Sequence, residues 1–439
     1  MGDTLSERTS INRPKLHALN GIRVIAEFAV VRGHTLQDRR IERISKGDEE
    51  LDSHRRGPYG MDIMCFFFVL SGFVIMYTHQ DTDFSHWKSK IAFIRRRLLL
   101  VYPVFLFCWS CGIPGLLYEW ATGEKDCWAR RLCTFLQLGM MDVWFACGSM
   151  KPVFGVTWFL SCLMWLWLAF PFCKDRIRDS MLAYNGHIWT KLLLINLAWA
   201  GAFYLLWGYA IYTLAGFPLL RLGEFLIGCG AACALGDEHK IPFFLANGRY
   251  WYPALMFILM YNFERQDHGM EWLCLHEESS QRGCALWGYG QPWVKATPPC
   301  FSWLGKIGNK SALPWVWLIY GLARAELAGE TGWYMRVLQS DVFKFLSGFS
   351  MTLYVAHIEV HTALKWLAQT LLGWEHSDWN DDTLLIGVYL GCYGLHCAIL
   401  SGMTWLIGGN QQEQDEQESK QLLVEDMSDD RGEEEQGQP

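Results

Sequence analysis

The chain has 439 residues, of which 51% are hydrophobic and 15% aromatic, with 23 Trp and 26 Phe. Long apolar blocks separated by short charged loops exclude an ordinary soluble domain and call for helices that cross a bilayer. The formal net charge of −7, with no basic patch interleaved with aromatics, excludes a nucleic-acid-binding protein.

Residues 1–15, MGDTLSERTSINRPK, are polar and lack the apolar run of a signal peptide, so insertion is expected to be driven by internal segments. Candidate spans of sufficient apolar length follow at 16–37, 60–79, 98–118, 154–173, 190–207, 216–235, 250–263, 312–328, 343–372 and 384–407. The seventh is short, and the ninth is long enough to include a tilted span or an interfacial turn. The expected fold is therefore an all-α integral membrane protein, a bundle of about ten transmembrane helices over 16–407. The tail 408–439 is acidic and poor in aromatics, so it is expected to be disordered.

The first span carries the most charge: Arg23, Glu27, Arg32 and His34. Arg23 and His34 are eleven residues apart, and eleven steps of about 100° return to within roughly 20° of the start. Both then share one helix face about 16 Å apart along the axis, too far for a hydrogen bond but close enough to line one groove. Glu27, four residues after Arg23, lies on that face and can pair with it. Ionisable groups in a spanning segment are costly, and they mark a functional cavity by default.

Orientation is nearly balanced: roughly 19 Lys and Arg fall on the side of the termini and roughly 16 on the other. The densest run, Arg95-Arg96-Arg97, directly precedes the third span and favours cytosolic termini. One sequon, Asn309-Lys310-Ser311, lies on the opposite side against the eighth span. Most of the 15 Cys sit in apolar segments and read as small buried hydrophobes. Cys127, Cys133 and Cys147, then Cys274, Cys284 and Cys300, lie in two polar loops where disulfides would form if both face an oxidising lumen. No spacing resembles a zinc site, and no metal ligand is assigned. The long segment 264–311 is rich in Trp and Cys, and no internal repeat is visible along the chain.

Several blocks occur in order. Leu19-Asn20-Gly21 precedes the Arg23–His34 pair, and GPYGMDIMCFFFVLSGFVI follows with Gly60, Asp62, Phe66, Phe67, Ser71, Gly72 and Phe73. RRRLLLVYPVFLF supplies Arg95, Arg97, Tyr102 and Pro103, and TWFLSCLMWLWLAFPF supplies Trp158, Ser161 and Phe170-Pro171. RLGEFLIG contains Arg221 and Glu224, and FLSGFSMTLYVAH contains Ser350, Tyr354 and His357. Together these blocks resemble the type-3 family of membrane acyltransferases, which O-acylate surface polysaccharides and peptidoglycan in bacteria. The resemblance covers about 16–407. It departs after Trp158-Phe159-Leu160-Ser161, where many relatives carry an acidic residue and this chain reads Cys162-Leu163-Met164, so no carboxylate role is carried over there.

The resemblance implies an O-acyltransferase that moves an acyl group, as in O-acetylation, from acyl-CoA as donor substrate to a hydroxyl of a glycan, lipid or small metabolite, with no bound cofactor. Such chemistry needs a base for the hydroxyl proton, and His34 is the expected base, since imidazole titrates near neutrality. Arg23, the second expected catalytic residue, lies too far along the helix to orient His34 directly and is expected to bind an anionic part of the donor or to hold the helix through Glu27. Arg95 and Arg97 suit the phosphates of acyl-CoA through forked hydrogen bonds, against the plain reading of topology anchors. Asp62, Glu224 and His357 are supporting groups near or within spans, with Asp62 and Glu224 read as arginine partners that fix helix packing. Ser71-Gly72 reads as a site of close helix contact rather than a nucleophile. His376 and Asp381 form an H-x4-D pattern used by other lipid acyltransferases, which is treated as coincidence.

The expected location is multi-pass in an endomembrane or the plasma membrane. The alternative is a transporter that uses the charged stripe for proton or substrate passage. Matching broken helices in two halves would favour it, and none is seen.

Overall fold

The structure is a computed structural model that describes residues 13–45, 61–122, 128–145, 157–183, 188–206, 217–235, 312–373 and 383–401. The expected span 250–263, segment 264–311 with its sequon, the His376–Asp381 pattern and the tail lie outside the described residues. So does most of the N-terminal polar segment. Among the described residues there is no strand.

The helices are α1 (His17–Ser45), α2 (Met61–His79), α3 (Trp87–Thr122), α4 (Trp128–Leu138), α5 (Thr157–Leu182), α6 (Ile188–Leu206) and α7 (Pro218–Ala234). After them come α8 (Leu313–Leu327), α9 (Trp333–Leu338), α10 (Asp341–Gly348), α11 (Ser350–Leu372) and α12 (Thr383–Ser401). A short 3-10 turn at Asp142–Trp144 follows α4.

Three of these, α3, α5 and α12, are both long and apolar enough to cross a membrane. Stretches of α2 and α6 (Ile63–His79 and Ile188–Trp199) are apolar but shorter over the described residues. α1 is long, with 29 residues, yet its charged groups keep it from reading as a plain apolar span. Of the about ten expected spans, the described residues thus show three full-length apolar helices, while the other helices are shorter or carry charge. α5 lies at the centre, with 67% of its apolar window buried, whereas α3 and α12 are 24% and 22% buried and present most of their surface outward. α3 has 36 residues and runs about 54 Å, well beyond a hydrocarbon core of about 30 Å.

The core is aromatic. Phe66, Phe68, Phe73, Phe105, Phe170 and Phe225 are all within 2% of full burial. α2 and α7 pack backbone to backbone. A Cβ at Gly72 would overlap the Phe225 carbonyl oxygen, and one at Gly228 would overlap that of Val69. Small residues permit this approach where lipid supplies no hydrophobic drive for association. The Cys229 thiol also donates to the Gly72 carbonyl at 3.3 Å, and Trp167 Nε1 donates to Ser71 Oγ at 2.8 Å.

One end of the bundle is stitched by charge. Both carboxylate oxygens of Glu326 accept from the first amides of α1, His17 N–H at 2.8 Å and Ala18 N–H at 2.9 Å. A carboxylate is favoured there because it meets the positive end of the helix dipole. Arg13 pairs with Asp81 at 2.6 Å, and the buried Lys174 donates to the Thr82 carbonyl at 2.5 Å, closing the turn after α2.

The expected segment 343–372 divides at Phe349 into α10 and α11. α10 buries no residue and leaves Val342 and Phe345 exposed, as an amphipathic turn lying at an interface would. α11 ends on Gly373, whose φ of 65° is the left-handed cap that glycine adopts without strain.

Candidate active site

The site arises where α1 and α11 run side by side in the same direction. The approach begins before α11, where Gly21 of α1 comes close to the backbone of Leu338 at the end of α9. It continues through Arg23, whose Nη2 donates to the Ser347 carbonyl at 2.9 Å. Next, Ser350 comes beside the Glu27 carboxylate at the start of α11. Two turns further along both helices, the His34 and His357 rings meet with centroids 5.2 Å apart and planes tilted by 40°. Glu27 to His34 and Ser350 to His357 are both steps of seven residues, so each helix presents its pair on one face about 10.5 Å apart. That matched spacing holds the two helices in register.

His357 is the more deeply buried ring, 2% exposed, while His34 is half-buried. The tautomer of His357 is fixed by its own helix. Nδ1 lies 2.8 Å from the Tyr354 carbonyl and 3.2 Å from that of Leu353, and carbonyls only accept, so Nδ1 carries the hydrogen. Nε2 then bears the lone pair, and it is buried without a hydrogen-bond partner. Tyr354 flanks the pair, its ring centroid 6.2 Å from His357 and 5.1 Å from Phe159. His361 continues the buried polar face of α11 one turn on. From α12, the Tyr389 ring packs 6.1 Å from Phe28, and its buried hydroxyl lacks a hydrogen-bond partner.

Arg23 stays where helix geometry puts it, away from His34 along a continuous α1. Its Nε is 3.8 Å from Glu27 Oε1, and Glu27 is 4% exposed. Arg23 therefore holds a buried carboxylate and the carbonyl that ends α10, and it does not reach the imidazoles directly. Glu224 is fully buried in an ion pair with Arg221 at 2.6 Å, and the Arg221 guanidinium lies between the Phe68 and Trp158 rings at 5.3 and 5.8 Å. Asp62 belongs to α2, but its side chain lies outside the described residues.

Arg95 is exposed at the start of α3, and Arg97 is half-buried, its guanidinium 5.5 Å from both the Phe93 and Trp167 rings. Neither comes to the histidine pair. They lie at the end of the bundle that also carries Arg13, Lys174 and Arg178, the last donating to the Gln80 carbonyl at 3.4 Å. Among the described residues no group of three or more His, Cys, Asp or Glu is placed to hold a metal ion.

Sequence reasoning placed His357 among the supporting groups but did not bring it to His34. Nor did it find Ser347 or Tyr389, and it named Ser350 only within the block that carries the resemblance. The legible signal was the repeated seven-residue step, which joins Glu27 to His34 and Ser350 to His357.

One buried and one half-buried imidazole thus meet ring to ring inside an apolar helical bundle. The chain belongs to the type-3 acyltransferase family: the family model, described as an acyltransferase domain, matches residues 16–402. It is a membrane acyltransferase. No curated protein and no solved structure matches it.

Proposed function

We propose that the protein is a multi-pass O-acyltransferase of an endomembrane or the plasma membrane. It moves an acyl group, acetyl foremost, from acyl-CoA to a hydroxyl of a glycan, lipid or small metabolite. The observation that carries this reading is the His34–His357 contact at 5.2 Å, which sets a half-exposed imidazole against a fully buried one. His34 is the base. Its unprotonated nitrogen takes the acceptor's hydroxyl proton as that oxygen bonds to the thioester carbonyl carbon. The carbon–sulfur bond then breaks, and the thiolate of CoA leaves with the proton held on His34. Arg23 supports this site through Glu27 and the Ser347 carbonyl. Arg95 and Arg97 bind the donor's phosphates at the basic end of the bundle.

That end is assigned to the cytosol, where acyl-CoA is made. Cys133 on α4, one crossing of α3 away from Arg95, is disulfide-bonded, which accords with an oxidising compartment on the far side. The acceptor is then presented from that far side.

The test is purified protein in nanodiscs with labelled acyl-CoA and a panel of hydroxyl acceptors, the product identified by mass. Wild type is expected to transfer label to an acceptor, and His34→Ala to lose transfer by at least about 10²-fold while still inserting. Transfer at the wild-type rate in that variant would remove His34 from the role of base.

A further inference from the structure

We infer that Tyr389 of α12 and Glu27 of α1 form a subsite for the outer amide of the donor's pantetheine arm, with Tyr389 Oη donating to its carbonyl and Glu27 Oε2 accepting from its N–H. This deepens the reading of acyl-CoA as donor given above and rests on it.

Buried polar atoms are nearly always hydrogen-bonded, and each exception calls for a cause. Two exceptions here lie side by side. The Tyr389 hydroxyl is buried without a partner, while its ring packs 6.1 Å from Phe28, the residue that follows Glu27. Glu27 is 4% exposed, with Arg23 Nε 3.8 Å from Oε1 and Ser350 beside the carboxylate. Its Oε2 is nevertheless buried without a hydrogen-bond partner. The Glu27 carboxylate is also the charge within electrostatic reach of the Tyr389 hydroxyl. Phenols that only serve packing in this bundle find a backbone carbonyl: Tyr77 donates to Pro14 at 3.0 Å, and Tyr102 to Leu138 at 2.6 Å. Tyr389 does not. Two helices therefore present one donor and one acceptor together, with neither spent on the fold.

A secondary amide satisfies both at once, since it carries one N–H and one carbonyl. A phosphate is opposed by the like charge of Glu27, and an acyl tail would leave both atoms unsatisfied. Acyl-CoA carries two amides, both on its pantetheine arm. Glu27 precedes His34 by seven residues, about 10.5 Å along α1. It lies toward the start of that helix, the end where Arg13 pairs with Asp81. A donor with its thioester at His34 and its phosphates at that basic end runs its arm past Glu27. The outer amide nitrogen is seven bonds from the sulfur, about 8 Å in an extended chain at roughly 1.2 Å per bond. The inner one, three bonds away, reaches only about 4 Å and falls short of that level. A hydroxyl could also donate and accept, but the acceptor comes from the opposite side, beyond His34.

The test begins with Tyr389→Phe, which removes the hydroxyl alone. In nanodiscs this variant is expected to raise KM for acetyl-CoA about fivefold, the worth of one neutral hydrogen bond. The acceptor KM and the melting temperature should not change, because the hydroxyl has no partner in the bundle to lose. Truncated donors identify the group that is read. The acetyl thioester of N-acetyl-β-alanylcysteamine keeps both amides and should show the same penalty. The acetyl thioester of N-acetylcysteamine keeps only the inner amide, and both proteins should use it with equal kcat/KM. A Tyr389→Phe protein with the wild-type KM for acetyl-CoA overturns the proposal, as does an equal penalty with all three donors. Should the variant fail to fold, wild type decides: the donor with both amides must exceed the shorter one in kcat/KM by at least about fivefold, and equal values overturn the subsite. Wild type that transfers label from none of the three sinks the donor reading itself, an outcome distinct from transfer without discrimination, which sinks the subsite alone.

Discussion

His34 and His357 lie ring to ring, 5.2 Å between centroids, although one is in the first described helix and the other in the eleventh. Their contact depends on α1 and α11 running in the same direction, with Glu27 and Ser350 meeting two turns earlier. Parallel neighbours of this kind require the chain to return across the bundle between them, and the short helices α9 and α10 complete that return. The break at Phe349 starts α11 beside Glu27, and so places its second turn beside His34.

Arg23 and Glu27 should behave as one unit. Glu27 is nearly fully buried, and Arg23, although a third exposed, is the cation beside it. Removing Arg23 strands a carboxylate in an apolar surround, at a cost of about 3 kcal/mol. Arg23→Ala should therefore lower the melting temperature in detergent sharply, and adding Glu27→Gln should restore most of it. Loss of activity is expected to persist in the double variant, because the Ser347 carbonyl that ends α10 is still unheld. Thermal melts and transfer rates across the four proteins of this cycle decide the matter. Additive melting shifts would mean that the pair is not coupled.

The crossing of α2 and α7 admits no side chain at Gly72 or Gly228. The atoms that an added Cβ would meet are backbone carbonyls, which cannot rotate away as a flexible side chain could. Gly72→Val should destabilise by about 3 kcal/mol, read as a lower melting temperature and poor recovery of monodisperse protein. Gly394→Ala is the control, since a Cβ there meets nothing within 4 Å. Equal stability of the two variants would refute the backbone-to-backbone packing.

Much of this was legible in the sequence, and the misses have physical causes. The charged first span, the small-residue step at Ser71-Gly72 and the pairing of Arg23 with Glu27 all follow from helical periodicity, because their partners lie within a turn or at the same level. The His34–His357 contact does not, since periodicity along one helix carries no information about which distant helix lies against it. The segment 343–372 was long enough to include an interfacial turn, but hydropathy averages over the break at Phe349 and could not place it. What ends α10 there is local backbone geometry, with φ −111° and ψ 11°, and not a change in apolar character.

Arg95 and Arg97 are predicted to part company when mutated. Arg95 is exposed, so Arg95→Ala removes charge from the basic end without disturbing packing. Its expected effect is a KM for acyl-CoA raised about fivefold, the worth of one charge-assisted contact at a partly wet site, with kcat and melting temperature unchanged. Arg97 lies over the rings of Phe93 and Trp167, and Trp167 in turn donates to Ser71 on α2. Arg97→Ala should raise KM and also lower stability by about 1 kcal/mol, because the cation–π contacts and the packing of its stem are lost together. Arg97→Lys should recover part of the KM effect but little of the stability, since an ammonium cannot stack as a guanidinium does. The salt dependence of KM supplies an independent reading. Wild-type KM should rise with ionic strength, and the slope should flatten in Arg95→Ala, because exposed charges are screened beyond about 8 Å at physiological salt. An Arg95→Ala protein with the wild-type KM and the wild-type salt slope would return that residue to the role of a membrane anchor and move the donor site elsewhere on the bundle.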